Sequence, residues 1–234
     1  MTDDAAAAPR LETWTRAHAV TMLAACAVAL GVGRAWPVAV AALLSNLALL
    51  ARSRGQFTPR GPFGAANAVT AIRLAGVLGL ALAPTATPGW VLAAALGLIW
   101  ALDGLDGWIA RRRGLASAFG AAFDQETDAL LILAADAQLW QRGRFALWIL
   151  ATGVLRYGYV LALAIAPPPV GHVPRARLGR LAFLALVAGL TAGFALQNPA
   201  GTALAALGTA AVTASCAHSF YWSYRRPQVH PRAP

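Results

Sequence analysis

Eight apolar runs, each about as long as a bilayer span, divide this chain almost from end to end. They lie near residues 17–33, 36–51, 67–83, 89–110, 118–140, 145–166, 181–197 and 201–222. A helix crossing hydrocarbon needs ~17–25 predominantly apolar residues, and only helices or closed barrels satisfy their backbone there. Composition agrees: 59% of the 234 residues are hydrophobic and 12% are charged, whereas a soluble domain carries about a quarter charged residues. Only Gly31, Gly33, Arg34 and Pro37 separate the first two runs. The expected fold is an all-α, polytopic transmembrane bundle of about eight spans. Residues 1–16 are polar, and no small-residue cleavage site follows a short apolar core, so no removable signal peptide is expected.

All 19 basic residues are arginine, and with nine acidic residues they leave a net charge of +10. On the eight-span reading, Arg10, Arg16, Arg52, Arg54, Arg60, Arg111, Arg112, Arg113, Arg175, Arg177, Arg180, Arg225, Arg226 and Arg232 fall on one side. Only Arg34, Arg142 and Arg144 fall opposite, and Arg73 and Arg156 sit inside spans. That asymmetry predicts cytoplasmic termini. The basicity is therefore read as topology and contact with anionic lipid, not as nucleic-acid binding. An all-arginine, alanine-rich chain also suggests a bacterial inner membrane. Cys26 and Cys216 lie in apolar spans without metal-ligand spacing and are read as small hydrophobes.

Six of the nine acidic residues fall inside the apolar pattern: Asp103, Asp106, Asp124, Glu126, Asp128 and Asp136. A carboxylate in hydrocarbon is costly, so several at helical spacing point to function. On a helix, Asp103, Asp106, Gly107, Ala110 and Arg111 share one face, as residues three and four apart do. Two carboxylates with a guanidinium nearer the helix end describe a metal and phosphate site. Gly120, Asp124 and Asp128 form a second stripe at i, i+4 and i+8. Residues 112–117 join the two spans into a hairpin, so both stripes can face one cavity opening on the arginine-rich side. Carboxylates are also the ligands that Mg²⁺ prefers.

The pattern D-x2-D-G-x2-A-R-x8-G-x3-D-x3-D, filled by Asp103, Asp106, Gly107, Ala110, Arg111, Gly120, Asp124 and Asp128, resembles the signature of the CDP-alcohol phosphotransferase (phosphatidyltransferase) family. Asn67, Val69, Thr70 and Arg73 resemble a softer upstream element of that family, with Ala66 where a proline often precedes the Asn. The resemblance implies a six-span catalytic core over 61–224, preceded by a cytoplasmic tail and an additional two-helix hairpin over 1–60 and followed by a short tail over 225–234. It implies Mg²⁺, or Mn²⁺ in its place, held by Asp103, Asp106, Asp124 and Asp128, with Asp128 also the general base. It implies that Asn67, Thr70, Gly107, Ala110, Arg111, Ser117 and Gly120 hold the CDP part of the donor. The expected reaction moves a phosphatidyl group from CDP-diacylglycerol to an alcohol and releases CMP. Alternatives are a soluble CDP-alcohol donor with a lipid acceptor or, in another class, a divalent-cation transporter.

Around this motif, Arg73, Arg156 and Asp136 suggest a buried ion pair or triad; the sharper reading gives either arginine a phosphate. Arg175, Arg177 and Arg180 open the seventh span, as a headgroup anchor or as an acceptor pocket for an anionic alcohol such as glycerol 3-phosphate or inositol phosphate. Glu126 lies off the Asp124/Asp128 face and is expected to meet a neighbour. His18, His172, His218 and His230 share no spacing that suggests a metal. Glycine- and alanine-rich faces leave room for a homodimer.

Overall fold

The computed structural model describes residues 3–167 and 177–225. These form α1 (Asp3–Val32), α2 (Trp36–Arg52), α3 (Gly64–Leu82), α4 (Gly89–Arg113), α5 (Ala118–Gln141), a 3-10 turn at Leu147–Leu150, α6 (Ala151–Ile165), α7 (Arg177–Ala195) and α8 (Pro199–Arg225). No strand occurs among the described residues. Every apolar run thus lies on a helix. Six helices are long and apolar enough to cross a membrane: α1, α3, α4, α6 with its leading 3-10 turn, α7 and α8. α2 is shorter, at 17 residues. α5 has 24 residues, a rise of about 36 Å, but Asp124, Glu126, Asp128 and Asp136 make it less apolar than the six.

The burial pattern explains how α5 accommodates those charges. Every residue from Leu130 to Leu139 is buried, so this half of α5 is enclosed all round. α1, α2, α3, α6 and α7 all pack against it. Leu44, Ile72, Leu98, Ile165 and Leu207 instead stay exposed on outer helix faces, where lipid is the medium that suits them.

Close helix approach depends on missing side chains. A Cβ on Gly189 would lie 2.4 Å from the Leu204 carbonyl oxygen, and one on Gly208 would lie 2.7 Å from that of Ala185. α7 and α8 therefore meet backbone to backbone, the small-residue packing that membrane helices use in place of a hydrophobic driving force.

Buried polar groups lock the remaining helices. Asp136 is fully buried and accepts hydrogen bonds from Thr152 Oγ1 (2.8 Å) and the Gly153 backbone N–H (2.9 Å) on α6. The expected triad with Arg73 and Arg156 does not form: a hydroxyl and a backbone amide serve Asp136 instead. Arg156 pairs with Glu126 at 2.7 Å, which meets the expectation that Glu126 faces a neighbour. From α1, His18 stacks on Trp14 at 4.8 Å and its Nδ1 shares a hydrogen bond with Ser45 Oγ of α2 (2.7 Å). His18 Nε2 lies 3.9 Å from Glu126 Oε2. The N-terminal pair packs on α5 at this point, and the Ala35 backbone N–H ahead of α2 donates to Gln141 Oε1 of α5 at 2.9 Å.

Gly208→Leu is expected to force α7 and α8 apart at a cost of about 1–3 kcal/mol, lowering the midpoint of thermal unfolding in detergent. Leu207→Ala, at a position 67% exposed, should leave that midpoint nearly unchanged.

Candidate active site

α3 packs against both α4 and α5, and its Arg73 reaches the acidic residues of both. The Arg73 side chain is fully buried. Its Nη2 lies 3.1 Å from Asp103 Oδ1 on α4, and its Nη1 donates to Asp124 Oδ1 on α5 at 2.5 Å. Nη2 also donates to Asp128 Oδ1, one turn further along α5. The three carboxylates remain about one-third exposed, so they line an accessible site whose closed side is the guanidinium. Such pairing offsets the large cost of taking carboxylates out of water.

Asp103, Asp124 and Asp128 each offer an oxygen within 4.8 Å of the others. Carboxylate oxygens are hard donors suited to Mg²⁺ or Mn²⁺, and three of them converging from two helices fit such an ion. The metal-competent group found among the described residues contains no histidine.

The mouth of the site is built where α5 begins. Ser117 caps α5, its Oγ accepting from the Gly120 N–H at 3.0 Å while donating to the Phe57 carbonyl at 2.7 Å. Asn67, buried on α3, donates through Nδ2 to the carbonyls of Phe57 (3.0 Å) and Phe63 (2.6 Å). One carbonyl, that of Phe57, therefore holds both Ser117 and Asn67. A Cβ on Gly120 would lie 2.9 Å from Asn67 Oδ1 and 3.2 Å from Ser117 Oγ; only glycine lets the three elements close at this point. Thr70 is buried and donates to the Ala66 carbonyl at 3.3 Å. Phe57, Phe63, Phe119 and Phe123 pack as an aromatic cluster against the same corner.

On α4, Arg111 is exposed and lies back along the helix over Gly107, where a Cβ would stand 3.2 Å from Nη1. Asp106 and Ala110 also lie on α4, but their side chains fall outside the described ones, as does that of Arg177. Arg175 lies outside the described residues. Arg156 is not brought to the aspartates; it is engaged with Glu126. Arg180, exposed on α7, lines a cavity of about 900 Å³ with Tyr159 and His218.

Sequence reasoning placed the aspartates on facing stripes but missed that Arg73 joins them. The available signal was the position of Arg73 in an apolar run, about one helical turn beyond Thr70 in the same upstream element. It also missed Phe57, whose contribution is a backbone carbonyl and leaves no trace in residue type.

The sequence model of the CDP-alcohol phosphatidyltransferase family matches residues 63–219. The chain belongs to this family. It is accordingly a transferase of substituted phosphate groups and, with its six long apolar helices, an integral membrane protein. Members transfer from a CDP-alcohol to an alcohol acceptor in the membrane, generally with a divalent metal. α1 and α2 precede the matched segment. No curated protein and no solved structure matches the chain.

Gly120→Ala is expected to displace Asn67 or Ser117 and reduce transferase turnover by about a hundredfold, the effect of misplacing groups by an ångström. Ser117→Ala removes the cap and the bond to the Phe57 carbonyl, about 1–2 kcal/mol of stability, with a smaller loss of turnover. CMP release and thermal unfolding, measured side by side, separate the two effects.

Proposed function

We propose that this transferase uses CDP-diacylglycerol as donor and passes its phosphatidyl group to an alcohol, releasing CMP. The observation that carries the reading is the convergence of Asp103, Asp124 and Asp128 around Arg73 at one end of the bundle, within the family-matched segment. A donor anchored by acyl chains suits a site that is open to water at one end and bordered by lipid-facing helices. The arginine asymmetry supports placing that end in the cytoplasm, and the all-arginine composition supports a bacterial inner membrane.

Asp103, Asp106, Asp124 and Asp128 would hold Mg²⁺, or Mn²⁺ in its place. Bound there, such an ion would supply charge neutralisation for the pyrophosphate and the leaving CMP. Arg111, at the exposed end of α4, is assigned to the donor phosphates, with Gly107 and Ala110 leaving the helix face low enough for the nucleotide to approach. Gly120, Ser117, Asn67 and Thr70 form the wall against which the cytidine side is positioned. Arg73 holds Oδ1 of Asp128 and so directs Oδ2 toward the reaction centre. Asp128 Oδ2 takes the proton of the acceptor hydroxyl as its oxygen bonds to the phosphatidyl phosphorus, and the P–O bond to CMP breaks. Positioning and charge stabilisation account for most of the rate in phosphoryl transfer, and a well-placed base adds roughly 10²–10⁴-fold.

The cavity beside Arg180 favours an anionic acceptor such as glycerol 3-phosphate or inositol phosphate, because guanidinium forks suit phosphate. Among the described arginines, Arg73 and Arg156 are already engaged with carboxylates, which leaves Arg180 the better candidate.

The decisive measurement is CMP release from CDP-diacylglycerol by purified protein with Mg²⁺, against phosphorylated and neutral alcohols in turn. Release should require one acceptor and stop when the metal is chelated. Asp128→Asn should lower turnover by about 10²–10⁴-fold. If no alcohol elicits CMP and no cytidine nucleotide binds, the donor assignment fails and a divalent-cation transporter becomes the better account. CMP release from a soluble CDP-alcohol with a lipid acceptor would instead reverse the donor and acceptor roles.

A further inference from the structure

A second cavity, of about 580 Å³, opens beside the N-terminal helix pair, away from the aspartates. Three elements build it. α1 contributes Arg10, Trp14 and Ala17, which share one face at i, i+4 and i+7; α2 contributes Leu49 and Arg52; α5 contributes Phe119 from its first turn. Its size is that of a small-molecule site, about 300–1,000 Å³.

Its chemistry is divided. Trp14, Leu49 and Phe119 are each 5% exposed or less and form an apolar wall. Trp14 Nε1 donates to the Ser45 carbonyl at 3.0 Å, which fixes the indole against α2. Arg10 and Arg52 are exposed at the outer end. Neither makes an ion pair among the described residues, and the neighbouring Glu12 is engaged by Arg16. From Arg10 to Ala17 the helix rises about 10 Å, so the cavity runs from two guanidiniums at headgroup level to an apolar interior. Both arginines lie on the arginine-rich side of the membrane, where anionic lipid is the natural counter-charge.

We propose that this cavity binds one anionic phospholipid of the bilayer, its phosphate between Arg10 and Arg52 and its glycerol and upper acyl chain against Trp14, Leu49 and Phe119. A soluble anion would use the arginines alone and leave the apolar wall unfilled. A zwitterionic lipid brings its own cation and gains less from two guanidiniums. The site is separate from the aspartates but close in structure to the cap of α5. Gln56 lines the cavity, and the next residue, Phe57, supplies the carbonyl shared by Ser117 and Asn67. Phe119 belongs to the aromatic cluster at the same corner. An occupant therefore steadies the wall of the candidate active site and raises thermal stability by mass action.

Native mass spectrometry of the full-length protein in detergent, titrated with phosphatidylglycerol and with phosphatidylcholine of the same acyl chains, tests the proposal. One phosphatidylglycerol should bind about tenfold more tightly than phosphatidylcholine and raise the unfolding midpoint. The double variant Arg10→Gln/Arg52→Gln should lose that tenfold preference while CMP release in phosphatidylcholine bilayers is unchanged. Ala17→Trp, which fills the cavity and keeps both arginines, should abolish the tight binding as well. Glycerol phosphate without acyl chains should not compete. Retained preference in both variants overturns the proposal, because headgroups would then be meeting arginines elsewhere. Loss of that preference when divalent metal is chelated also overturns it, by placing the lipid at the aspartates. These readouts do not depend on which donor or acceptor the transferase uses.

Discussion

The contact of Arg73 with Asp103, Asp124 and Asp128 is the interaction on which the rest of the arrangement depends. Three carboxylates facing one another within a membrane-embedded bundle repel strongly, and at low dielectric that repulsion is several times larger than in water. A fully buried guanidinium bonded to all three turns the repulsion into a cross-link between α3, α4 and α5. Arginine suits this position because its planar fork presents donors in several directions and stays charged. The same contact orients the carboxylate oxygens, so the stability of the helix arrangement and the geometry of the site come from one side chain.

That cross-link works because α5 is enclosed. Its first half carries the aspartates toward the mouth, and its second half is surrounded by other helices from Leu130 to Leu139. One oxygen of the buried Asp136, Oδ2, accepts from Thr152 Oγ1 and from the backbone N–H of Gly153. A Cβ on Gly153 would lie 2.7 Å from Leu133 Cα, so the absent side chain is what brings the Gly153 N–H within reach. Packing and the hydrogen bond to Oδ2 are here a single requirement.

The bundle was legible in the sequence because bilayer length and apolar runs leave few alternatives; each of the eight runs lies on a helix. The acidic stripes were legible for a similar reason, since helical periodicity alone puts Asp103 near Gly107 and Asp124 near Asp128 on their faces. What could not be read was pairing across helices. Arg73, Arg156 and Asp136 were all visible as intramembrane charges, but charge alone suggested a triad among them. The structure pairs Arg73 with the aspartates, Arg156 with Glu126, and Asp136 with neutral donors. Which charges meet depends on helix rotation, and rotation is set by small-residue contacts such as those at Gly153, Gly189 and Gly208. A backbone carbonyl like that of Phe57 is harder still, because any residue could have supplied it.

α1 and α2 lie outside the family-matched segment, yet they are not loosely appended. Glu126 occupies the position between Asp124 and Asp128 on α5, turned away from the aspartate site toward Arg156 and His18. A buried carboxylate in that place fixes the rotation of α5 about its own axis, and hence the direction in which its two neighbouring aspartates point. Arg156, from α6 within the family boundary, pairs with it at 2.7 Å, and His18, from α1 outside that boundary, lies 3.9 Å from its other oxygen. Trp14 and Ser45 in turn seat His18 between the two N-terminal helices. An anchor in the membrane needs apolar length alone. A buried histidine held by a serine hydroxyl and stacked on a tryptophan exceeds that need, and it packs the N-terminal pair beside the glutamate of the aspartate-bearing helix.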